Sequence, residues 1–258
     1  NRGINRAGDD FNRMLDLDQT ESPHYKTQHQ QNTKQRLKTK PMSHNEPNNH
    51  AAGIPLEAHV AELQSRHEAT ACLYDGSTYY REECEIFKQY AREKNCSCAY
   101  PPEEINRTPD DEGNEHQVWF DEANAAFVKA TLPDFFGLLV MQRPHEDDKA
   151  SPIDYLERWQ LHNELFGDAI EFLGVLEVDG QMRLLIRQPA IAGKPATLVQ
   201  ISDFFTQNGW ERFMVRDELA FFNPIHKVAI SDTHRGNLIL MEDGLLAPID
   251  LRVQPLEG

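Results

Sequence analysis

An α+β fold is predicted for this chain of 258 residues, on three observations. Two Asp-Gly pairs, Asp179-Gly180 and Asp243-Gly244, each stand between apolar runs, the strongest short-range signal for a β-hairpin. Ser151-Pro-Ile-Asp154 opens a helix, with a hydroxyl at the cap and proline at the first helical position. Leu56, Val60 and Leu63, then Cys84, Phe87 and Ala91, recur at helical spacing and predict two amphipathic helices ahead of the strands.

Taken from the N-terminus, residues 1–53 are poor in apolar side chains and rich in Gln, Asn, His, Thr and Lys. Such a segment cannot bury enough surface to offset its ordering entropy, so a disordered tail or linker is expected. It holds eight basic and six acidic residues, so the rest of the chain, with 18 basic and 36 acidic residues, carries a net charge of -18. That acidity argues against a nucleic-acid partner. The longest apolar stretches, such as Phe135 to Met141, fall far short of a membrane span. No charged start followed by an apolar segment is visible, which reads as a soluble chain without a signal peptide and as a piece of a longer polypeptide.

Residues 54–110 read as a helical neck, closed by Tyr100-Pro-Pro102 and Thr108-Pro-Asp-Asp-Glu-Gly113. All four cysteines, Cys72, Cys84, Cys96 and Cys98, fall in it, without paired C-x-x-C units. Free thiols in a reducing compartment are expected rather than a zinc site.

Beyond the neck, His116 to Asp121 and Ala126 to Thr131 read as strands, with Lys129 set among apolar neighbours. Alternation alone would turn Lys129 away from the face of Val128 and Ala130. The Ser151-capped helix runs from about Pro152 to Leu165 and stops near Gly167, with Glu157, Leu161 and Glu164 along one face. Strands follow at Phe172 to Val178 and Met182 to Arg187, and a helix from about Leu198 to Gln207 ends at Asn208-Gly209. Lys227 to Ser231 is strand-like and leads into the second hairpin.

That hairpin holds the candidate site. A two-residue loop at Asp243-Gly244 pairs Glu242 with Leu245, and the same register carried outward sets Asn237 opposite Asp250. Asp232 enters the same open end from the preceding strand. A carboxylate and an amide carbonyl beside an open mouth are hard oxygen donors suited to Mg²⁺. The plain alternative is that Asp and Asn stand at strand ends to make turns. A second alternative takes Asp232-Thr-His234 after an apolar strand as the opening of a calcineurin-like phosphoesterase metal site. That fold needs further ligands downstream, and no His follows His234.

Asp232-Thr-His-Arg-Gly-Asn237 followed by Asp250-Leu251 resembles the catalytic loop and metal-binding Asp of protein kinases, where Asp and Asn stand five positions apart. The C-terminal half is similar to the kinase domain of polyvalent proteins of phages and conjugative elements. That likeness rests on Tyr155-Leu-Glu-Arg-Trp-Gln-Leu-His-Asn-Glu-Leu-Phe-Gly167, Ile186-Arg-Gln-Pro189, Ile201-Ser-Asp-Phe-Phe-Thr-Gln-Asn-Gly209, Ser231-Asp-Thr-His-Arg-Gly-Asn237 and Pro248-Ile-Asp250.

The resemblance implies a minimal protein-kinase-like two-lobe fold over residues 111–258, with an N-lobe over about 111–188 and a truncated C-lobe over about 189–258. It implies ATP and Mg²⁺ as cofactors, and transfer of the γ-phosphoryl group to a hydroxyl of a protein or small molecule. Asp232 is then the catalytic residue, Asn237 and Asp250 the metal ligands, and Lys129 the lysine on the α- and β-phosphates. Glu157 is its helix partner, with Glu164 in reserve, and Gln188 lies at the hinge that meets an adenine edge. In place of a glycine-rich loop there is only Asp111-Glu-Gly113-Asn-Glu115, one glycine among acids, which leaves Gly113 as the phosphate-loop candidate.

That departure keeps a second reading open, a pseudokinase acting as a nucleotide-binding or protein-interaction module. AMP transfer on the same residues is a third. Eight residues follow Asp250, too few for an activation segment and a large helical lobe, so the expectation is either a truncated chain or a minimal catalytic fold whose acceptor sits in an open cleft or is supplied by a partner domain. The resemblance also implies a cytoplasmic site of action, including delivery into a host cell as part of a mobile-element protein.

Overall fold

The computed structural model describes residues 54–71, 79–98, 107–142 and 148–256. The expected tail, Cys72, the Tyr100-Pro-Pro102 boundary and most of the acidic loop at 145–149 lie outside the described residues. The chain divides into two compact units, one ending at Ala190 and the other beginning at Ile191. The architecture is mixed α+β.

The first unit contains α1 (Leu56–Ala71), α2 (Tyr79–Lys94), β1 (Ser97–Cys98), β2 (Asp111–Glu112), β3 (His116–Asp121) and β4 (Ala126–Thr131). It continues with α3 (Pro152–Phe166), β5 (Glu171–Val178) and β6 (Gln181–Pro189). Its six-stranded sheet has the order β1-β5-β6-β4-β3-β2. All pairs are antiparallel except β1 with β5.

The periodicities read from the sequence point inward as expected. Leu56, Val60, Leu63, Cys84, Phe87 and Ala91 are all buried. They share one core with Trp159 and Tyr155 of α3 and with Phe172, Leu184 and Ile186 of the sheet. The two helices expected as a neck thus pack into the same core as the strands. The opposite sheet face buries a smaller cluster of Trp119, Val128, Ala130, Leu176 and Leu185. With both faces covered, β4 is buried nearly throughout, and this is why Lys129 is not a solvent-facing strand lysine.

Local signals fix the ends of α3. The Ser151 hydroxyl accepts from the Asp154 N–H, the Asp154 carboxylate accepts from the Ser151 N–H, and Gly167 closes the helix at φ 70°. One further contact had no local signal. The buried Glu83 of α2 accepts from the Ile153 N–H at 2.6 Å, placing a carboxylate at the positive N-terminus of α3. The β5–β6 hairpin closes on Asp179-Gly180, both at positive φ, with Val178 opposite Gln181, as the sequence predicts.

Burial also sets two proton equilibria in this unit. The thiols of Cys84 and Cys96 are pushed up to about 12 and about 11 by burial and are inert structural groups. His59 bonds through Nδ1 to the Tyr90 hydroxyl at 2.6 Å, while its buried Nε2 has no partner. Desolvation holds its pKa below the ordinary histidine value, and His67 is shifted the same way by the same cause. The unfolded chain then binds protons more readily. Stability from these groups is present above about pH 6.5 and is lost as pH falls through the depressed folded pKa values. Thermal unfolding between pH 7.5 and 5 should show a melting temperature that falls with acid. His59→Gln, which can still bond Tyr90 but does not titrate, should flatten that slope.

The second unit contains β7 (Lys194–Pro195), α4 (Leu198–Gln207), β8 (Glu211–Val215), β9 (Glu218–Asn223), β10 (Val228–Ser231), β11 (Leu238–Leu240), β12 (Leu246–Pro248) and β13 (Arg252–Pro255). One sheet runs β13-β10-β9-β8 and the other β12-β11-β7. A capping box between Thr197 and Gln200 starts α4, which buries Ile201 and Phe205. The Phe205 ring packs on Phe221 of β9 with centroids 4.6 Å apart. No helix among the described residues is long and apolar enough to cross a membrane.

Candidate active site

In the second unit the site begins where β10 ends. Ser231 is still paired, with Arg252 of β13, and the chain then turns sharply at Asp232, whose φ of 60° is left-handed. A non-glycine residue held there stores strain, and such positions cluster at functional sites. The turn is anchored by the buried Thr233, whose hydroxyl donates to the Leu219 carbonyl at 2.8 Å. The loop closes when the Asn237 N–H donates to the His234 carbonyl at 3.0 Å. Arg235 reaches back to the Ala196 carbonyl at 3.3 Å.

Asn237 is the hub of this loop. Its Nδ2 lies 3.0 Å from the Asp232 carboxylate, the Asp232 carbonyl and the Asp250 carbonyl, two hydrogens shared among three acceptors. The three residues expected to converge are therefore held together by one buried amide. These contacts use the nitrogen end of the side chain. The oxygen end is the one with affinity for a hard cation.

The register that brings them together differs from the expected one. Leu238 pairs with Pro248 and Leu240 with Leu246, so Asn237 stands opposite Ile249 and not Asp250. The Ile249 N–H donates to the Asn237 carbonyl at 2.9 Å. The cause is loop length. Met241 pairs with Leu245 through a 2.9 Å bond, closing a three-residue loop with Gly244 at φ 86° in place of a two-residue turn. The Asn237 side chain, reaching diagonally to the next residue, restores the contact that the backbone register would have lost.

In the first unit, Lys129 projects from β4, whose pairing sets it between Val118 and Ile186. It is 7 % exposed, and its Nζ stands 5.3 Å from the centroid of the Trp159 ring. A buried ammonium needs compensation, and the indole face supplies part of it. Glu157, the helix residue expected to meet Lys129, also accepts through Oε1 from Gln64 Nε2 of α1. Trp159, two residues further along α3, sets its ring against the same ammonium. Glu164 is exposed and bonded to Gln160.

Gly113 lies in the turn between β2 and β3, with its N–H donating to the His116 carbonyl at 2.8 Å. That amide is used inside the turn. Glu115, one of the acids flanking it, is largely buried and paired with Arg158 at 2.7 Å. Its charge is therefore compensated before any anion approaches. Gln188 is buried on β6, opposite Phe127. The Ala190 N–H bonds the Ala125 carbonyl, so antiparallel alternation turns the backbone groups of Gln188 toward Phe127. The outward-turned carbonyl at this strand end is that of Pro189, one residue later than expected.

Trp159, Arg158 and Glu83 were not singled out by sequence reasoning. Only Trp159 carried a signal, because Tyr155, Trp159 and His162 form a buried stripe at helical spacing. Among the described residues no cluster of three His, Cys, Asp or Glu side chains forms a metal site. The candidate metal pair instead combines an amide with a carboxylate.

A lysine-bearing strand followed by a helix, and an Asp-Asn loop with a downstream Asp in a hairpin, are the parts expected of a kinase. Residues 80–254 match the family described as the serine/threonine/tyrosine kinase found in polyvalent proteins, and the chain belongs to that family. The match begins within α2, whose Glu83 caps the lysine-facing helix. No curated protein and no solved structure matches the chain. Phosphotransfer is the general activity that the family carries.

Proposed function

We propose that the chain transfers the γ-phosphoryl group of ATP to a hydroxyl, with Mg²⁺. The observation that carries this reading is the single Asn237 amide that joins the Asp232 carboxylate and the Asp250 backbone. In the reaction, the acceptor oxygen bonds to the γ-phosphorus and the bond from that phosphorus to the β,γ-bridging oxygen breaks. The electron pair leaves with ADP, and the hydroxyl proton passes to the Asp232 carboxylate. Lys129 binds the α- and β-phosphates as a point charge, braced by Trp159. The Pro189 carbonyl offers an acceptor to an adenine edge, with Gln188 buried beside it.

The donor set fits a hard cation. The Asn237 oxygen and the Asp250 carboxylate are oxygen donors, and the amide nitrogen already holds their residues together. When bound, Mg²⁺ supplies neutralisation of the charge on the transferred group. The acceptor hydroxyl belongs to a protein or a small molecule, and neighbouring domains of a polyvalent polypeptide in the cytoplasm would present it.

The Gly113 amide bonded within its own turn favours a second reading, a nucleotide-binding module without catalysis. One experiment separates them. The protein is incubated with Mg²⁺ and ATP labelled on either the γ- or the α-phosphate, and label on the protein and released phosphate are followed. γ-Label transfer supports the kinase, and α-label transfer means AMP transfer. Bound nucleotide with neither label transferred selects the non-catalytic module.

A further inference from the structure

We propose that His234 is a positioning residue that orients the Asp232 carboxylate for its role in phosphoryl transfer, an inference that rests on the kinase reading. His234 Nδ1 accepts from the Gly236 N–H at 3.0 Å. A ring nitrogen that accepts carries no proton, so the ring proton lies on Nε2. That Nε2 stands 3.4 Å from Asp232 Oδ1, an ion-pair distance a little longer than a hydrogen bond, and such contacts tighten when substrate binds. The other carboxylate oxygen, Oδ2, is held by Asn237 Nδ2 at 3.0 Å.

The loop thus sets a ring nitrogen beside one oxygen of the carboxylate and an amide N–H on the other, from residues two and five positions onward. Closing the first gap on substrate binding would put a donor on each oxygen and fix the plane of the carboxylate, which one donor leaves free to rotate. Each oxygen keeps a lone-pair direction, so the group still accepts a substrate proton. Asp232 at φ 60° and the Thr233 anchor fix the backbone beneath it. The side chain of Asp232 is 25 % exposed and that of His234 46 %, which leaves the pair open to an acceptor.

The test separates the two ring nitrogens. Asn at position 234 keeps an acceptor near the Nδ1 position for the Gly236 N–H, whereas Gln keeps a donor near the Nε2 position. Turnover of Mg-ATP by the full chain, with water as acceptor, is measured as phosphate release. His234→Ala should lower kcat by roughly 10–100-fold, the usual cost of losing a group that orients a reactive one, with KM for ATP unchanged. His234→Gln should recover most of that loss and His234→Asn should not.

Rescue by Asn and not by Gln overturns the proposal, because the role would then be to hold the loop. So does wild-type turnover in His234→Ala when Asp232→Asn is inactive. Wild-type turnover in Asp232→Asn instead overturns the role of Asp232, and with it that of His234. Nitrogen-15 NMR of the imidazoles gives a readout independent of turnover. The resonances lost in His234→Gln should be those of an Nε2–H tautomer, and an Nδ1–H tautomer overturns the proposal.

Discussion

Replacing Asp250 by Ala should abolish γ-phosphoryl transfer, a loss of about 10²–10³-fold or more, while the protein stays folded. Removing the carboxylate takes away one of two oxygen donors proposed for the cation, and with it stabilisation of the charge on the transferred group. The contact that ties this residue into the catalytic loop is made by its backbone carbonyl, which accepts from Asn237 Nδ2 at 3.0 Å. Alanine supplies that carbonyl equally well, so the loop keeps its anchor. Asn237→Ala is a poorer probe. It deletes the donor that holds Asp232 and Asp250 together, so a loss of turnover in that variant would not separate a metal role from loss of the loop's shape. The check is label transfer from γ-labelled ATP together with a thermal melt of wild type and Asp250→Ala. Unchanged transfer would sink the assignment of Asp250, whatever the melt shows.

The same hairpin shows how far the sequence carries and where it stops. Both strands and the turn residues were legible, because Asp-Gly between apolar runs leaves few alternatives. The register was not. Whether such a turn closes with two residues or three depends on whether Met241 and Leu245 pair, and composition does not distinguish these. A one-residue slip in a strand normally changes which residues face each other, yet Asn237 still meets Asp250 because its side chain reaches past its own pair. Elements with strong local signals, the Ser151 cap with Pro152 of α3 and the Asn208-Gly209 end of α4, were readable to within a residue or two.

Elements set by long-range contacts were not readable. The β8–β9 hairpin turns on Arg216-Asp217, both at positive φ and neither a glycine, so no turn signal marked it. The aromatic face beside Lys129 was missed for a related reason. Its helix neighbour was sought among charges, and the fold also sets the Trp159 ring there. Sequence spacing names the residues that share a helix face, but only the packing of α1 against α3 shows which face Glu157 occupies.

Gly174→Ala should be the most destabilising conservative change in the first unit, costing about 3–5 kcal/mol from a strained φ, a backbone clash and a broken hydrogen bond. Gly174 sits at a bulge in β5 with φ 144°, and a Cβ built there would lie 1.9 Å from the Cys96 carbonyl oxygen. That oxygen accepts from the Val175 N–H at 2.9 Å and begins the short parallel pairing of β1 with β5. The Cys96 N–H bonds in turn to Ala91, so the same point ties the end of α2 to the sheet. A methyl group must push this junction apart, because the obstacle is backbone and not a flexible side chain. Gly180→Ala is the control. Its φ of 81° is also left-handed, but nothing lies within 4 Å of the added carbon, so the expected cost is only about 1–2 kcal/mol. Chemical denaturation of the two variants measures the difference, and a Gly174→Ala protein no weaker than Gly180→Ala would refute the close-approach argument. The consequence reaches the site through α2, whose Glu83 caps α3, the helix that carries Trp159 over Lys129. Folded Gly174→Ala protein should therefore bind ATP more weakly than Gly180→Ala protein at equal concentration.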